Sequence, residues 1–153
     1  EIVRNTILVK RLLKVAALSY LNCYFSYWEV SEMAKKILVI DDGKSELDLI
    51  SHYLEEAGYV VITAENGLDA LEKVRLDRPD AIVTDLVMPE VTGLELCRKL
   101  KKDPMTADIP IIACTTKGRK MDQSWAKKQG VASYIIKPCT AEQLTNAVRF
   151  ATL

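Results

Sequence analysis

A chain of 153 residues is long enough for one domain with a complete hydrophobic core. Its 49% hydrophobic and 27% charged residues are ordinary for a globular protein. Lys plus Arg (21) equals Asp plus Glu (21), so bulk charge makes no case for binding nucleic acid or an anionic membrane, and function must come from local placement of charge.

Residues 1–32 differ in character from the remainder of the chain. They hold Tyr20, Tyr24, Phe25, Tyr27 and Trp28 and no Gly or Pro, with Arg4, Lys10, Arg11 and Lys14 ahead of an apolar run from Val15 to Trp28. That run is interrupted by Ser19, Asn22 and Ser26, falls short of the roughly 20 residues that span a bilayer, and leads into no small-residue cleavage site. "MAKKILVIDD" from Met33 then reads as a natural start directly before a first strand. The sequence predicts an N-terminal extension over 1–32, upstream of a domain over 33–153. The rival reading is an amphipathic helix that docks on a partner or a membrane surface, and the membrane enters only if this segment is real. The size of the native protein on a blot separates the two.

From Met33 the pattern alternates. "KILVI" (36–40), "YVVIT" (59–63), "AIVTD" (81–85), "IPIIAC" (109–114) and "YIIK" (134–137) are short, apolar and mostly β-branched. They lack the in/out alternation of a half-exposed strand, which predicts parallel strands covered on both faces. The stretches between them are helical. Leu47, Ile50, Leu54 and Ala57 share a face that Gly58 ends, with Ser45 and Asp48 as the cap. Leu68, Leu71 and Val74 mark a second helix. Thr92 with Glu95 caps a third that carries Leu94, Cys97 and Leu100. Met121 and Trp125 form the inward stripe of a fourth, stopped by Gly130, and Thr140 with Gln143 caps a fifth with Leu144, Ala147, Val148 and Ala151 on its inward face. Five βα units joined by right-handed crossovers make a doubly wound α/β sandwich. Cys23, Cys97, Cys114 and Cys139 are far apart with no CxxC spacing, which fits free thiols in a reducing cytoplasm and neither a disulfide nor a zinc site. His52 has no metal-spaced partner and reads as a surface residue.

Ligands of open parallel sheets bind at the carboxyl ends of the strands. Here four of the five strands end in reactive side chains: Asp41 and Asp42, Asp85, Thr115 with Thr116, and Lys137 before Pro138. With a sheet order of 2-1-3-4-5 they converge on one crevice. Three carboxylates cannot all ionise comfortably side by side, and a hard divalent cation, Mg²⁺, relieves them through oxygen ligands. "DDGKSE" is acidic and lacks a glycine-rich cradle, which argues against a flavin or dinucleotide site and against direct binding of a nucleotide phosphate. Asp85, at the end of a central strand, is the candidate to attack a phosphoryl group, with Lys137 and the Thr115 hydroxyl on the remaining oxygens.

These residues, with "DLVMPEVTGLE" around Asp85, resemble the receiver domain of two-component response regulators over roughly residues 35–152. The resemblance implies a flavodoxin-like fold with strand order 2-1-3-4-5 and five helices. It implies Asp85 as phosphoacceptor, Mg²⁺ on Asp41, Asp42, Asp85 and the backbone carbonyl of Val87, phosphoryl binding by Thr115 and Lys137, and Thr115 and Tyr134 as the switch. It also implies a histidine kinase or phosphotransfer domain as donor, and a downstream protein target on the face of helix four, strand five and helix five, where Lys120, Lys127, Lys128 and Trp125 fall. A narrower likeness, carried by Trp125 and "KQG", is to single-domain receivers of pilus-motility and phototaxis systems. No helix-turn-helix comes after helix five, so direct contact with nucleic acid is not expected. Such a domain catalyses only its own phosphorylation and dephosphorylation. Two other functions compete: an aspartyl-phosphate phosphatase, which needs an aspartate where Val87 stands, and an interaction module that is never phosphorylated. Val87 and Lys117 fall at positions that, by the resemblance, tune how water reaches the phosphoaspartate, and an apolar Val87 cannot orient that water, which predicts slow loss of phosphate.

Overall fold

The computed structural model describes residues 34–153, so the expected extension over 1–32 lies outside the described residues. Five strands, β1 (Lys36–Ile40), β2 (Val60–Ala64), β3 (Ala81–Thr84), β4 (Ile111–Thr115) and β5 (Ser133–Ile136), alternate with five helices. The helices are α1 (Lys44–Glu56), α2 (Gly67–Asp77), α3 (Gly93–Lys102), α4 (Lys120–Lys128) and α5 (Ala141–Ala151). All pairings are parallel and the sheet order is β2-β1-β3-β4-β5. The doubly wound architecture and the order match the expectation.

Successive strand residues point to opposite faces, and each face meets its own helices. Ile37, Val39, Val83, Ile112 and Cys114 pack with Leu47, Ile50 and Leu54 of α1 and Leu144 and Val148 of α5. Leu38, Ile40, Ile82, Ile111 and Ala113 pack with Ala70 and Val74 of α2, Leu96, Cys97 and Leu100 of α3, and Ala126 of α4. Both neighbours of β1 and β3 are strands and both faces are roofed, which is why their runs are continuously apolar. Leu54 is fully buried; its truncation to Ala would cost about 2–5 kcal/mol from lost transfer energy and the cavity left behind.

Local signals explain the helix ends. Thr92 and Thr140 each close a capping box, with Glu95 and Gln143. Asn66 caps α2 by accepting the Asp69 amide. After α1 and α4 the chain reverses through Gly58 and Gly130, both at φ +92°, a conformation that only glycine takes without strain.

Several expectations are corrected. Full cover of both faces fails for the edge strands: Val60 is 44% exposed on β2 and Ile136 is 44% exposed on β5. The cap formed by Ser45 and Asp48 does not occur; Gly43 is the N-cap of α1 and no side chain caps it. Ala57 lies exposed at the end of that helix. On α2 the inward residues are Gly67, Ala70 and Val74, whereas Leu68 is exposed. Met121 and Trp125 are not the inward stripe of α4: both are exposed, and Ala126 is its buried residue. The helix lies near the sheet edge, where the smallest side chain makes the closest approach. His52 is exposed, as expected.

Candidate functional site

Three loops at the carboxyl ends of β1, β3 and β5 build an acidic pocket. Asp41 comes directly after β1, is 3% exposed, and is held by its backbone N–H donating to the Ala64 carbonyl. Its Oδ1 accepts the Gly43 amide at 2.9 Å, which turns the chain into α1 and leaves Asp42 exposed beside it. Asp85 comes directly after β3 and is 8% exposed; its amide donates to the carbonyl of Ile40. One carboxylate oxygen from each of Asp41, Asp42 and Asp85 lies within 4.8 Å of the others.

Lys137, just past β5, aims its ammonium into this cluster. Nζ is 2.5 Å from Asp41 Oδ2 and 3.1 Å from Asp85 Oδ2, with Glu46 at 3.9 Å from the rim. Burial works against the ammonium charge, but hydrogen bonds to Asp41 and Asp85 outweigh it and hold the lysine above its ordinary pKa. Asp85 Oδ1 accepts the Val87 amide at 3.0 Å, so each Asp85 oxygen has a donor. The Val87 side chain is 47% exposed.

Thr115 ends β4 and is fully buried. Its carbonyl accepts the Lys137 amide at 2.8 Å, which ties the lysine backbone to that strand end, and its Oγ1 accepts the Lys117 amide at 3.4 Å. Tyr134 stands apart from the carboxylates. Its hydroxyl donates to the Lys117 carbonyl at 2.6 Å and its ring packs on the α2–α4 side of the core. Burial, then the charges of Asp122 and Asp85, push the phenol pKa up. Asp41, Asp42, Asp85 and Lys137 are thus brought together, Thr115 is tied to them through backbone, and Tyr134 reaches only the β4–α4 loop.

Sequence reasoning missed three supports. Thr84 Oγ1 donates to the Asp85 carbonyl at 2.8 Å, Gly93 leaves room for that same carbonyl, and Glu46 adds a rim carboxylate. Thr84 and Gly93 act on the backbone, and nothing in residue spacing signals that. Glu46 is the third residue of α1, and an acidic residue in the first turn of the helix that follows Asp42 is a signal the sequence did carry.

The pocket offers a hard cation several charged oxygens and a lysine that already balances two of them. That donor chemistry suits a divalent ion with oxygen ligands. No helix among the described residues is long and apolar enough to cross a membrane.

Comparison with known proteins agrees with this fold. The chain is 38% identical over 113 residues to Protein PilH of Pseudomonas aeruginosa, covering 74% of this chain and 93% of that protein. It is 34% identical to the polar-differentiation response regulator DivK of Brucella anthropi, covering 76% and 95%. The chemotaxis protein CheY4 of Vibrio cholerae superposes with a TM-score of 0.73 at 31% identity, covering 77% of this chain and 98% of that one. Residues 37–149 match the family model of the response regulator receiver domain, and the chain belongs to that family.

Proposed function

We propose that this chain is a phosphoryl-accepting signalling switch, in which Asp85 takes a phosphoryl group from the phosphohistidine of a histidine kinase or a phosphotransfer domain. The observation that carries the reading is the gathering of Asp41, Asp42 and Asp85 within 4.8 Å around the Lys137 ammonium. A carboxylate oxygen of Asp85 attacks phosphorus, the P–N bond breaks, and the imidazole nitrogen keeps the bonding pair. The product is an acyl phosphate. Asp41, Asp42, Asp85 and the Val87 carbonyl would hold Mg²⁺, which when bound offsets the negative charge of the transferring group. Lys137 exchanges part of its contact with the carboxylates for a phosphoryl oxygen, and the Thr115 hydroxyl donates to another.

The new group adds about −1.5 to −2 charges at one point. Thr115 moves toward it, and the Lys117 carbonyl, two residues on, carries Tyr134 with it. The movement reaches the face formed by α4, β5 and α5. Lys120, Trp125, Lys127 and Lys128 are exposed there and would meet a downstream protein. Output is by protein contact. The only reactions catalysed are the chain's own phosphorylation and dephosphorylation. The likeness to PilH and to the chemotaxis protein CheY4 supports a motility-type pathway.

Incubation with acetyl phosphate or a phosphorylated kinase tests this. The wild type should take up one hydroxylamine-labile phosphoryl group when Mg²⁺ is present and none when it is chelated, and Asp85→Asn should take up none. Equal labelling of that variant would overturn the proposal.

A further inference from the structure

Two thiols that the phosphoryl chemistry leaves unused meet beside it. Cys114 is the fourth residue of β4, 1% exposed, and precedes Thr115. Cys139 is half-buried and stands two residues after Lys137. Strand pairing sets Cys114 opposite Ile135, so the chain leaving β5 comes back alongside Cys114 only four residues later. The two Sγ atoms are 3.8 Å apart and both side chains pack into the α1–α5 side of the core. An S–S bond is about 2.05 Å long, so closure asks for less than ~2 Å of sulfur movement. Cys97, by contrast, lies in α3 on the other side of the sheet, with no thiol contact among the described residues.

We propose that Cys114 and Cys139 are a peroxide-sensitive dithiol that closes to an intramolecular disulfide, tethering the end of β4 to the connection between β5 and α5. The half-buried member reacts first. The Cys139 thiolate attacks one oxygen of hydrogen peroxide, the O–O bond breaks, and hydroxide leaves to become water, giving a sulfenic acid. The Cys114 sulfur then attacks the Cys139 sulfur, the S–O bond breaks, and hydroxide departs with the Cys114 proton as a second water. Two thiols lose two electrons and two protons, and one peroxide becomes two waters. Burial, with Cys139 adding to it, pushes the Cys114 thiol above its ordinary pKa, which fits it as the resolving sulfur and not the one first attacked. The bond closes a ring over residues 114–139, which contains α4, β5 and Lys137, and so fixes the strand end of Thr115 against the loop behind the lysine.

The test uses the full chain and hydrogen peroxide, with readouts that do not involve phosphate. Oxidised wild type should lose two of its four thiols, lighten by about 2 Da, and recover both thiols with dithiothreitol. Trypsin should release residues 103–117 joined to residues 129–149 through Cys114 and Cys139. Cys114→Ser should instead stop at a sulfenic acid on Cys139 that dimedone traps, and Cys139→Ser should keep Cys114 reduced. The proposal is overturned if wild-type Cys139 accumulates sulfinic acid while Cys114 stays a thiol, if the disulfide recovered contains Cys23 or Cys97, or if no thiol is lost.

Discussion

The carbonyl oxygen of Asp85 lies 2.1 Å from the point where a Cβ on Gly93 would sit. The first residue of α3 therefore rests directly on the backbone of the candidate phosphoacceptor, and its amide donates to the Leu86 carbonyl at 3.2 Å. Thr84 holds the same Asp85 oxygen from the strand side at 2.8 Å. The carboxylate is aimed by a carbonyl pinned between a hydroxyl and a glycine.

Gly93→Ala should consequently be costly. A methyl group cannot share space with a backbone oxygen, so α3 or the Asp85 loop must shift, at about 3 kcal/mol or more. Urea unfolding measures it. A cost below about 0.5 kcal/mol would mean that this close approach does not exist in solution.

Lys137→Met should strand two buried carboxylates. Lys137, Asp41 and Asp85 have side-chain exposures of 8%, 4% and 10%, so water does little to screen them. Breaking such a cluster costs about 2–4 kcal/mol at neutral pH, somewhat below a fully dry pair because Asp42 and Glu46 open the pocket to solvent. The sign of the pH dependence comes from the raised lysine pKa, in which burial is outweighed by the two hydrogen bonds. The unfolded chain releases this proton near the usual value of about 10.4, and the folded chain holds it to higher pH. The advantage of wild type over variant is then complete below about pH 10 and shrinks as pH rises through the folded value. Unfolding midpoints from pH 7 to 12 should show a flat gap that closes only at the alkaline end. Closure between pH 7 and 9 would contradict the assignment.

Cys97 supplies a second alkaline effect. Burial pushes its thiol from 9.0 to about 12, with Lys101 pulling weakly the other way. A raised pKa stabilises the folded chain fully below about pH 9 and is lost as pH climbs from there toward 12, up to about 4 kcal/mol at 1.36 kcal/mol per pH unit. The difference in stability between wild type and Cys97→Ala should narrow over that window. Native Cys97 should also resist iodoacetamide at pH 8.5, whereas urea-unfolded chain should react at once.

Much of the architecture could be read before any coordinates, because β1, β3 and β4 are roofed on both faces and their composition reports it without ambiguity. The same rule misread β2 and β5. An edge strand keeps its β-branched residues yet leaves Val60 and Ile136 in water, and a strand's own residues do not state whether it has one neighbour or two. The order of the strands came from family resemblance and not from pattern. Asp41, Asp42, Asp85 and Lys137 were legible as strand-end residues of complementary charge. Gly93 and Thr84 were not, because they act on the backbone of Asp85 and not on its carboxylate. Periodicity failed on α4 for a related reason: it located an apolar stripe through Met121 and Trp125, while contact with the sheet is made by Ala126.

Trp125→Ala tests that correction. At 51% exposure the indole contributes little to the core, and its removal should change folding stability by less than about 1 kcal/mol. Truncation of a core tryptophan costs about 3–5 kcal/mol, so the two placements are well separated in a urea titration. If the face of α4 meets a partner, the same variant should weaken that complex while leaving the unfolding midpoint nearly in place.

The residue at position 87 leads us to expect a long-lived acyl phosphate on the proposed acceptor. Val87 already engages Asp85 Oδ1 through its amide, and its side chain is an isopropyl group that stands 47% exposed two residues from the candidate acceptor. Hydrolysis needs a water lined up with the phosphorus–oxygen bond, and an isopropyl group has neither donor nor acceptor with which to hold one. The phosphorylated chain should therefore decay over many minutes or longer. Val87→Glu places a carboxylate at the same exposed position and should shorten the lifetime severalfold, with little change in stability because the site is on the surface. Following the loss of labelled phosphate after removal of the donor checks both statements. Decay of the wild type within seconds would show that some group other than the residue at position 87 orients the water.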